Sequence, residues 1–348
     1  MEGLANERPM DPEDLRTNID DIVHPSTAAE GGIGEKFTAE ANRDILSSKE
    51  YSEYFRSLNT EQRQVVMFHR QWCKRTVHQL KQHKPITPYH LFLSGPGGVG
   101  KSYVIKMIHT DTVRYMRAIP GVHTNDLTAL LTATTGVAAF NIEGMTVDSA
   151  FALYDSMAQG RSKRAKAQES TYIPLSADSR NTMRNSMDNL FVVIIDEISM
   201  LSADILYKIH MRLQEIMNVS NPDTRFGNVT IIAVGDLFQL PAIGTRVYDV
   251  PGRFAEDDIR RLHGSLWKEK FMLHELTQVV RQKDSHFAAL LNRLRIGQHT
   301  PQDEAVLQSR EITLDHPDHD KDALHVYGTN EEADGYNWEM VQAFKQTI

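Results

Sequence analysis

Residues 91–102, LFLSGPGGVGKS, constrain this chain more tightly than any other stretch. Gly95, Gly100, Lys101 and Ser102 fit the pattern G-x-x-x-x-G-K-[ST], with Pro96, Gly97, Gly98 and Val99 between them. Glycines let successive backbone N–H groups turn inward around a phosphate, where side chains would block the approach. Lys101 can then reach the outer phosphates, and the Ser102 hydroxyl can hold Mg²⁺. Leu91, Phe92 and Leu93 make a short apolar run before the loop, and Val104, Ile105 and Ile108 give the residues after it helical potential. A strand, a loop and a helix in that order aim the helix N-terminus at the anion.

Three more apolar runs of strand length follow, at 127–133, 191–195 and 229–234. Each is separated from the next by enough chain for a crossover helix, the layout of a parallel sheet covered on both faces. Upstream, residues 58–80 read as a helix capped by Asn59 or Thr60, with Val65, Phe68 and Trp72 opening its apolar face. Downstream, Phe287, Leu290, Leu291 and Leu294 fall at i, i+3, i+4 and i+7 of another helix, and Gly297 is placed to stop it. The stretch 315–330, DHPDHDKDALHVYGTN, is expected to lead into one more short strand. Its His and Asp residues match no standard metal-site spacing and read as a hydrated loop.

Charge must be divided before it is interpreted. Residues 1–50 hold 12 Asp/Glu against 5 Lys/Arg, whereas the remaining chain holds 34 against 33, so most of the net −8 lies at the N-terminus. Residues 1–45 show no sustained periodicity and are expected to form an acidic, disordered lead-in. The near-neutral remainder neither supports nor excludes nucleic-acid binding, since a neutral domain can still carry a basic groove. Four of the six residues 161–166 are basic. They read as a solvated surface loop, with a nuclear-import signal or a DNA-backbone contact as the alternatives. No apolar run reaches the roughly 18 residues of a membrane span. The N-terminus has neither a signal-peptide nor a transit-peptide pattern. With Cys73 as the single cysteine, an intracellular protein is expected. Between organelles, the nucleus is expected over the mitochondrion.

Chemistry concentrates at the ends of the apolar runs. FVVIIDEISM, residues 191–200, places Asp196 at the tip of a buried strand, where a carboxylate can hold Mg²⁺ through water. Glu197 follows and, by strand alternation, should point elsewhere, placed to polarise an attacking water. TIIAVGDLFQLPAIG, residues 230–244, ends another strand at Asp236, and Gln239 follows where an amide could touch a γ-phosphate or the attacking water.

The ordered set LNTEQ, GPGGVGKS, TATTGVAAFNIEGMTVDSAF, VVIIDEISM, VGDLFQLPAI and LTQVVRQKDSHFAALLNRLRIG resembles the petite-integration-frequency (Pif-one) family of superfamily-1 DNA helicases, in the version carried by Helitron-type elements. The resemblance covers about residues 55–330 and rests on six motifs in the family's order. It implies an α/β fold of RecA-like type, a P-loop NTPase with a parallel sheet flanked by helices, in a motor domain over 46–268. The start of a second RecA-like domain would follow over 269–348. It further implies a monomer that uses ATP and Mg²⁺ to move 5′ to 3′ on single-stranded or forked DNA and unwind duplex, in repair, recombination or telomere maintenance.

Residue by residue, the resemblance implies that Gln62 recognises adenine, Lys101 and Ser102 bind phosphate and Mg²⁺, Asp196 coordinates the metal and Glu197 is the base. Gln239 would couple the γ-phosphate to DNA, and Arg281 would reach that phosphate from the second motor domain. Residues 134–149 would line the DNA path, with Thr134, Thr135, Phe140 and Ser149 as contacts. Two departures add negative charge there: Asp148 stands where these helicases usually have His, and Glu143 replaces a common Gly. In the family the second domain continues into two further motifs, one for DNA and one with a second γ-phosphate arginine, and neither is found in the sequence up to Ile348. A nucleotide- and DNA-binding remnant without unwinding activity is therefore the alternative reading. A GTPase or small-molecule kinase fits poorly, because no N-K-x-D guanine signature is present.

Overall fold

Four of the five long strands are apolar over nearly their whole length, so they can be stable only with both faces covered. The computed structural model describes residues 33–153, 172–221, 223–249, 266–282, 284–313, 316–320 and 323–345. Strands β1 (His90–Ser94), β2 (Ala129–Ala133), β3 (Met145–Thr146), β4 (Val192–Asp196), β5 (Thr230–Gly235) and β6 (Phe271–Glu275) form one sheet in the order β3-β2-β4-β5-β1-β6. Every pairing is parallel.

Strand alternation divides the core into two layers. Leu91, Leu93, Ala129, Leu131, Val192, Ile194, Ile232 and Val234 face one cluster, whose helical side comes from α3 (Thr60–Lys81) and α4 (Lys101–Met116). The intervening Phe92, Leu130, Val193, Ile195, Ile231 and Ala233 face the other, completed by α7 (Ala177–Met187) and α8 (Ala203–Ile216). Successive strand residues point to opposite faces, so each run feeds both layers. This is the α/β architecture, a parallel sheet flanked by helices, that the motifs imply. The short helices α5 (Gly136–Asn141) and α6 (Val147–Phe151) flank β3, and α9 (Leu266–Lys270) leads into β6.

Several expectations change. Residues 33–41 are not a loose lead-in: helix α1 (Ile33–Ala41) packs on α7 and buries Phe37 to 2% exposure. Phe37 and, one turn on, Ala41 pack on the second core cluster, a pattern of two residues too short to read from sequence. The expectation for residues 1–32 lies outside the described residues, as does that for the basic stretch 161–166. Helix α2 (Ser48–Ser57) follows, closed by a capping box between Ser47 and Glu50. In α3 the cap is Asn59, and the buried face runs through Val65, Val66, His69, Trp72 and Cys73. Phe68 lies off that face, 38% exposed, with its ring edge against Tyr89. In α10 (Ser285–Arg295) only Leu290 is buried; Phe287 is exposed.

Two compact units divide at 296/297 and not at the expected 268/269. The reason is β6, which pairs with β1 along its length and so belongs to the first unit's sheet. The second unit holds α11 (Pro301–Gln308), capped by Thr300 and Asp303, and α12 (Asn330–Lys345). The strand expected near residue 326 does not form. Leu324 and Val326 are 92% and 87% exposed, so no neighbouring strand covers them.

Candidate nucleotide site

All the candidate chemistry gathers at the C-terminal edge of the sheet, where parallel α/β folds place ligands. Strand register aligns Ser94 with Gly235 on one side and Glu275 on the other, and sets Ala133 beside Asp196. The loop after β1 therefore opens beside the residues that end β5 and β6. Gly100 takes a left-handed φ of 81° as the N-cap of α4. A Cβ there would stand 2.5 Å from the Gln62 amide nitrogen, and one on Gly98 (φ 84°) would stand 2.8 Å from the Arg281 Cβ. Glycine is thus required at both positions for backbone conformation and for close approach.

Gln62 is buried and fully engaged. Its Nε2 donates to the Val99 carbonyl at 2.8 Å, and its Oε1 accepts the Asn59 N–H at 3.1 Å in a capping box. A cavity of about 530 Å³ borders the same turn, lined by Leu58, Asn59, Thr60, Arg63, Gln64, Met67 and Gln278. Lys101 is half-buried and donates to the carbonyls of Gly95 (2.8 Å) and Pro96 (3.1 Å). Burial holds its ammonium below the usual lysine range, opposed by the charges of Glu197, Asp196 and Asp236. Ser102 lies exposed on the first turn of α4.

Asp196 closes β4 at 8% exposure and accepts the N–H of Glu197. Burial raises its carboxyl to about 6, with the Glu197 charge adding to the rise and Lys101 too weak to cancel it. The Ser102 hydroxyl with the Asp196 carboxylate is a hard-oxygen pair of the kind that suits Mg²⁺. Among the described residues no group of three or more His, Cys, Asp or Glu could hold a metal. A protein that contributes only one or two oxygens and leaves the rest to phosphate and water needs no such cluster.

Glu197 does diverge from Asp196, but not by strand alternation. The strand ends at Asp196, and Glu197 takes a left-handed backbone (φ 52°, ψ 47°) that opens the 3₁₀ turn Ile198–Met200. A non-glycine residue held there needs outside support. Thr134 supplies it, donating from Oγ1 to the Glu197 carbonyl at 2.9 Å while its N–H bonds the Asp196 carbonyl. Thr135 caps α5 by accepting the Ala138 N–H. The N–H of Ser149 is capped by Thr146, and its side chain is half-buried. Phe140 projects from α5 at 81% exposure, next to Val137 at 75%. Of the two added acids, Glu143 pairs with Lys106 at 3.8 Å. Asp148 is half-buried, and that burial raises its carboxyl against the opposing charge of Lys208.

Gln239 is exposed in the turn after β5, its N–H bonded to the Asp236 carbonyl. Arg281 does not come from a separate unit. The segment 276–282 lies along the phosphate loop: Leu276 N–H bonds Ser94, and the N–H groups of Val280 and Arg281 both donate to Gly98 O, at 2.8 and 3.1 Å. Two charged residues that sequence reasoning missed hold this region. Glu61 accepts the Thr277 N–H (2.7 Å), the Thr277 hydroxyl (2.6 Å) and the Gln278 N–H (3.3 Å). Arg295 forms a two-point ion pair with Asp236, at 2.6 and 2.7 Å. A basic residue in a last helical turn ordinarily reads as dipole compensation, so nothing in the pattern marked Arg295.

Known proteins resemble this arrangement. The profile of the PIF1-like helicase family matches residues 57–305. The ATP-dependent DNA helicase PIF1 of Saccharomyces cerevisiae is 28% identical over 251 residues, which are 72% of this chain and 26% of that protein. The Homo sapiens protein of the same name is 30% identical over 210 residues, 60% of this chain and 27% of its own. The chain therefore spans well under half the length of these relatives. The crystal structure of Pif1 helicase from Candida albicans superposes with a TM-score of 0.52 at 24% identity, covering 82% of this chain and 54% of that one, which supports the fold.

Proposed function

The chain belongs to the PIF1-like helicase family, and on that premise we propose that it is the ATP-binding part of an ATP-dependent DNA helicase. It would move 5′ to 3′ on single-stranded DNA and open forked or duplex DNA. The observation that carries this reading is the grouping of Lys101 with Asp196, Glu197 and Asp236 at one end of a buried sheet, close enough for their charges to act on its ammonium.

In this reading Lys101 exchanges its bonds to Gly95 and Pro96 for phosphate oxygens. The N–H groups of residues 97–102 supply the rest of the cradle. Ser102 and Asp196 hold Mg²⁺, which would offset phosphate charge when bound. Glu197, turned out of the strand by its left-handed backbone, takes the proton of the attacking water. Gln239 senses the γ-phosphate and relays to DNA, and Arg281, fixed beside Gly98, supplies a positive charge to the same phosphate. Adenine would lie in the cavity beside Asn59 and Gln278, with Gln62 ordering its wall. Thr134, Thr135, Phe140 and Ser149 face the strand. The Thr135 and Ser149 hydroxyls hold phosphates without reading sequence, and Phe140 offers a stacking surface for any base. Work on DNA repair, recombination or telomere maintenance, in the nucleus, follows from the same premise.

The test is ATP hydrolysis with and without a single-stranded oligonucleotide, with Lys101→Ala as the blank. DNA-stimulated turnover that the variant loses is the expected result. ATP binding with turnover no higher than the blank would sink the motor reading.

A further inference from the structure

One buried charged contact has no part in the roles assigned above. Asp236 directly follows β5 at 1% exposure, and its carboxylate organises the turn that begins there. Oδ1 accepts the Phe238 N–H at 3.1 Å, and the Asp236 carbonyl accepts the Gln239 N–H at 3.0 Å. A carboxylate this deep requires a partner. Arg295 supplies it from the last turn of α10, donating Nε to Oδ2 (2.6 Å) and Nη2 to Oδ1 (2.7 Å). The same guanidinium lies 4.5 Å from the centroid of the Phe238 ring. It therefore grips the turn at two points, the carboxylate and the ring, and only a planar fork can do both.

The other end of α10 leads back to the phosphate loop. The helix is capped by Asp284, three residues after Arg281, whose N–H is bonded to Gly98. One helix thus connects the backbone of the phosphate loop to the turn that carries Gln239. Glu61 anchors the same segment at Thr277 and Gln278, so the link has a fixed base.

We propose that Arg295 is a positioning residue for Gln239: by clamping Asp236 and Phe238 it holds the sensor turn against α10 and joins that turn mechanically to Arg281. The catalytic consequence rests on the hydrolysis reading given above; the positioning itself does not. Arg295 touches neither nucleotide nor DNA in this scheme and acts only through the turn.

The test uses the full chain with Arg295→Lys, Gln239→Ala and the double variant. Lysine keeps the charge opposite Asp236 and removes the fork, so the fold is retained; Arg295→Gln is the second variant should lysine restore the contact. Arg295→Lys is expected to lower DNA-stimulated kcat by about 10- to 100-fold, with KM for ATP changed less than about threefold. In the Gln239→Ala background the same change should have little further effect, because both act through one turn. Independent, multiplicative losses would overturn the proposal, as would equal losses in kcat and ATP binding. Hydrogen exchange separates this from failure of the hydrolysis reading. Faster exchange confined to residues 236–242 in Arg295→Lys supports the clamp even if the wild-type chain turns over no ATP. Unchanged exchange there overturns it.

Discussion

The Gln62 side chain bridges Asn59 and Val99, accepting from one backbone and donating to the other at 2.8 Å. The residue expected to read adenine is therefore also a strut between α3 and the phosphate loop. Gln62→Ala would leave the buried Val99 carbonyl without its partner, at a cost of about 1–3 kcal/mol. A lower melting temperature without nucleotide is expected, in addition to weaker ATP binding. An unchanged melt would show that the bond to Val99 carries no stability.

Glu197→Gln keeps the size and the backbone of the turn that Thr134 supports. Turnover should fall by about 10²–10⁴-fold, the usual contribution of a general base, while binding of a fluorescent ATP analogue stays within a few-fold. Collapse of binding would remove Glu197 from the role of base and make it a structural part of the site.

Phe140, at 81% exposure, contributes little to the core. Phe140→Ala should leave the melt in place and weaken binding of a single-stranded oligonucleotide by about 1–3 kcal/mol, the value of one stacked base. Fluorescence anisotropy would read this directly, and equal affinities would take the DNA path away from α5.

Burial holds three histidines neutral in the fold: His69 is pushed down to about 3, and His90 and His109 to about 4. Unfolded, each takes up a proton below its ordinary value of about 6.5. Stability is therefore fully present above that pH and is lost as the pH falls toward about 4, by up to about 1.4 kcal/mol per pH unit for each histidine. Asp196, raised to about 6, works in the opposite direction, since the folded chain protonates it first. The raised carboxyls of Glu40, Asp111 and Asp148 act in the same direction as Asp196. Three histidines whose unfolded value of about 6.5 lies inside the window dominate there, so the urea midpoint should drop between about pH 7.5 and 5.5, and His69→Gln should flatten the drop. Equal midpoints would refute the account.

Local patterns carried much of this arrangement. The apolar runs at 191–195 and 229–234 became β4 and β5 because a run buried on both faces has few alternatives. Asn59 and Gly297 marked helix ends because caps are local chemistry. The stretch near Val326 misled for the opposite reason: its residues have strand propensity, but a strand needs a neighbour to pair with. Helix α1 escaped notice because its apolar contacts, Phe37 and Ala41, span a single turn, too short to read as a repeating pattern.

Residue type and short-range spacing determined on their own the phosphate loop, Asp196 at a strand tip and the family's motif order. The loop's glycines, the apolar alternation and the caps act within a few residues, so they are written in consecutive letters. Tertiary structure alone decided that Glu197 turns by a left-handed backbone, that the Arg281 segment lies on Gly98, and that Arg295 clamps Asp236 from 59 residues away. Those relations depend on which elements the sheet order brings side by side, and no local preference encodes a partner that distant.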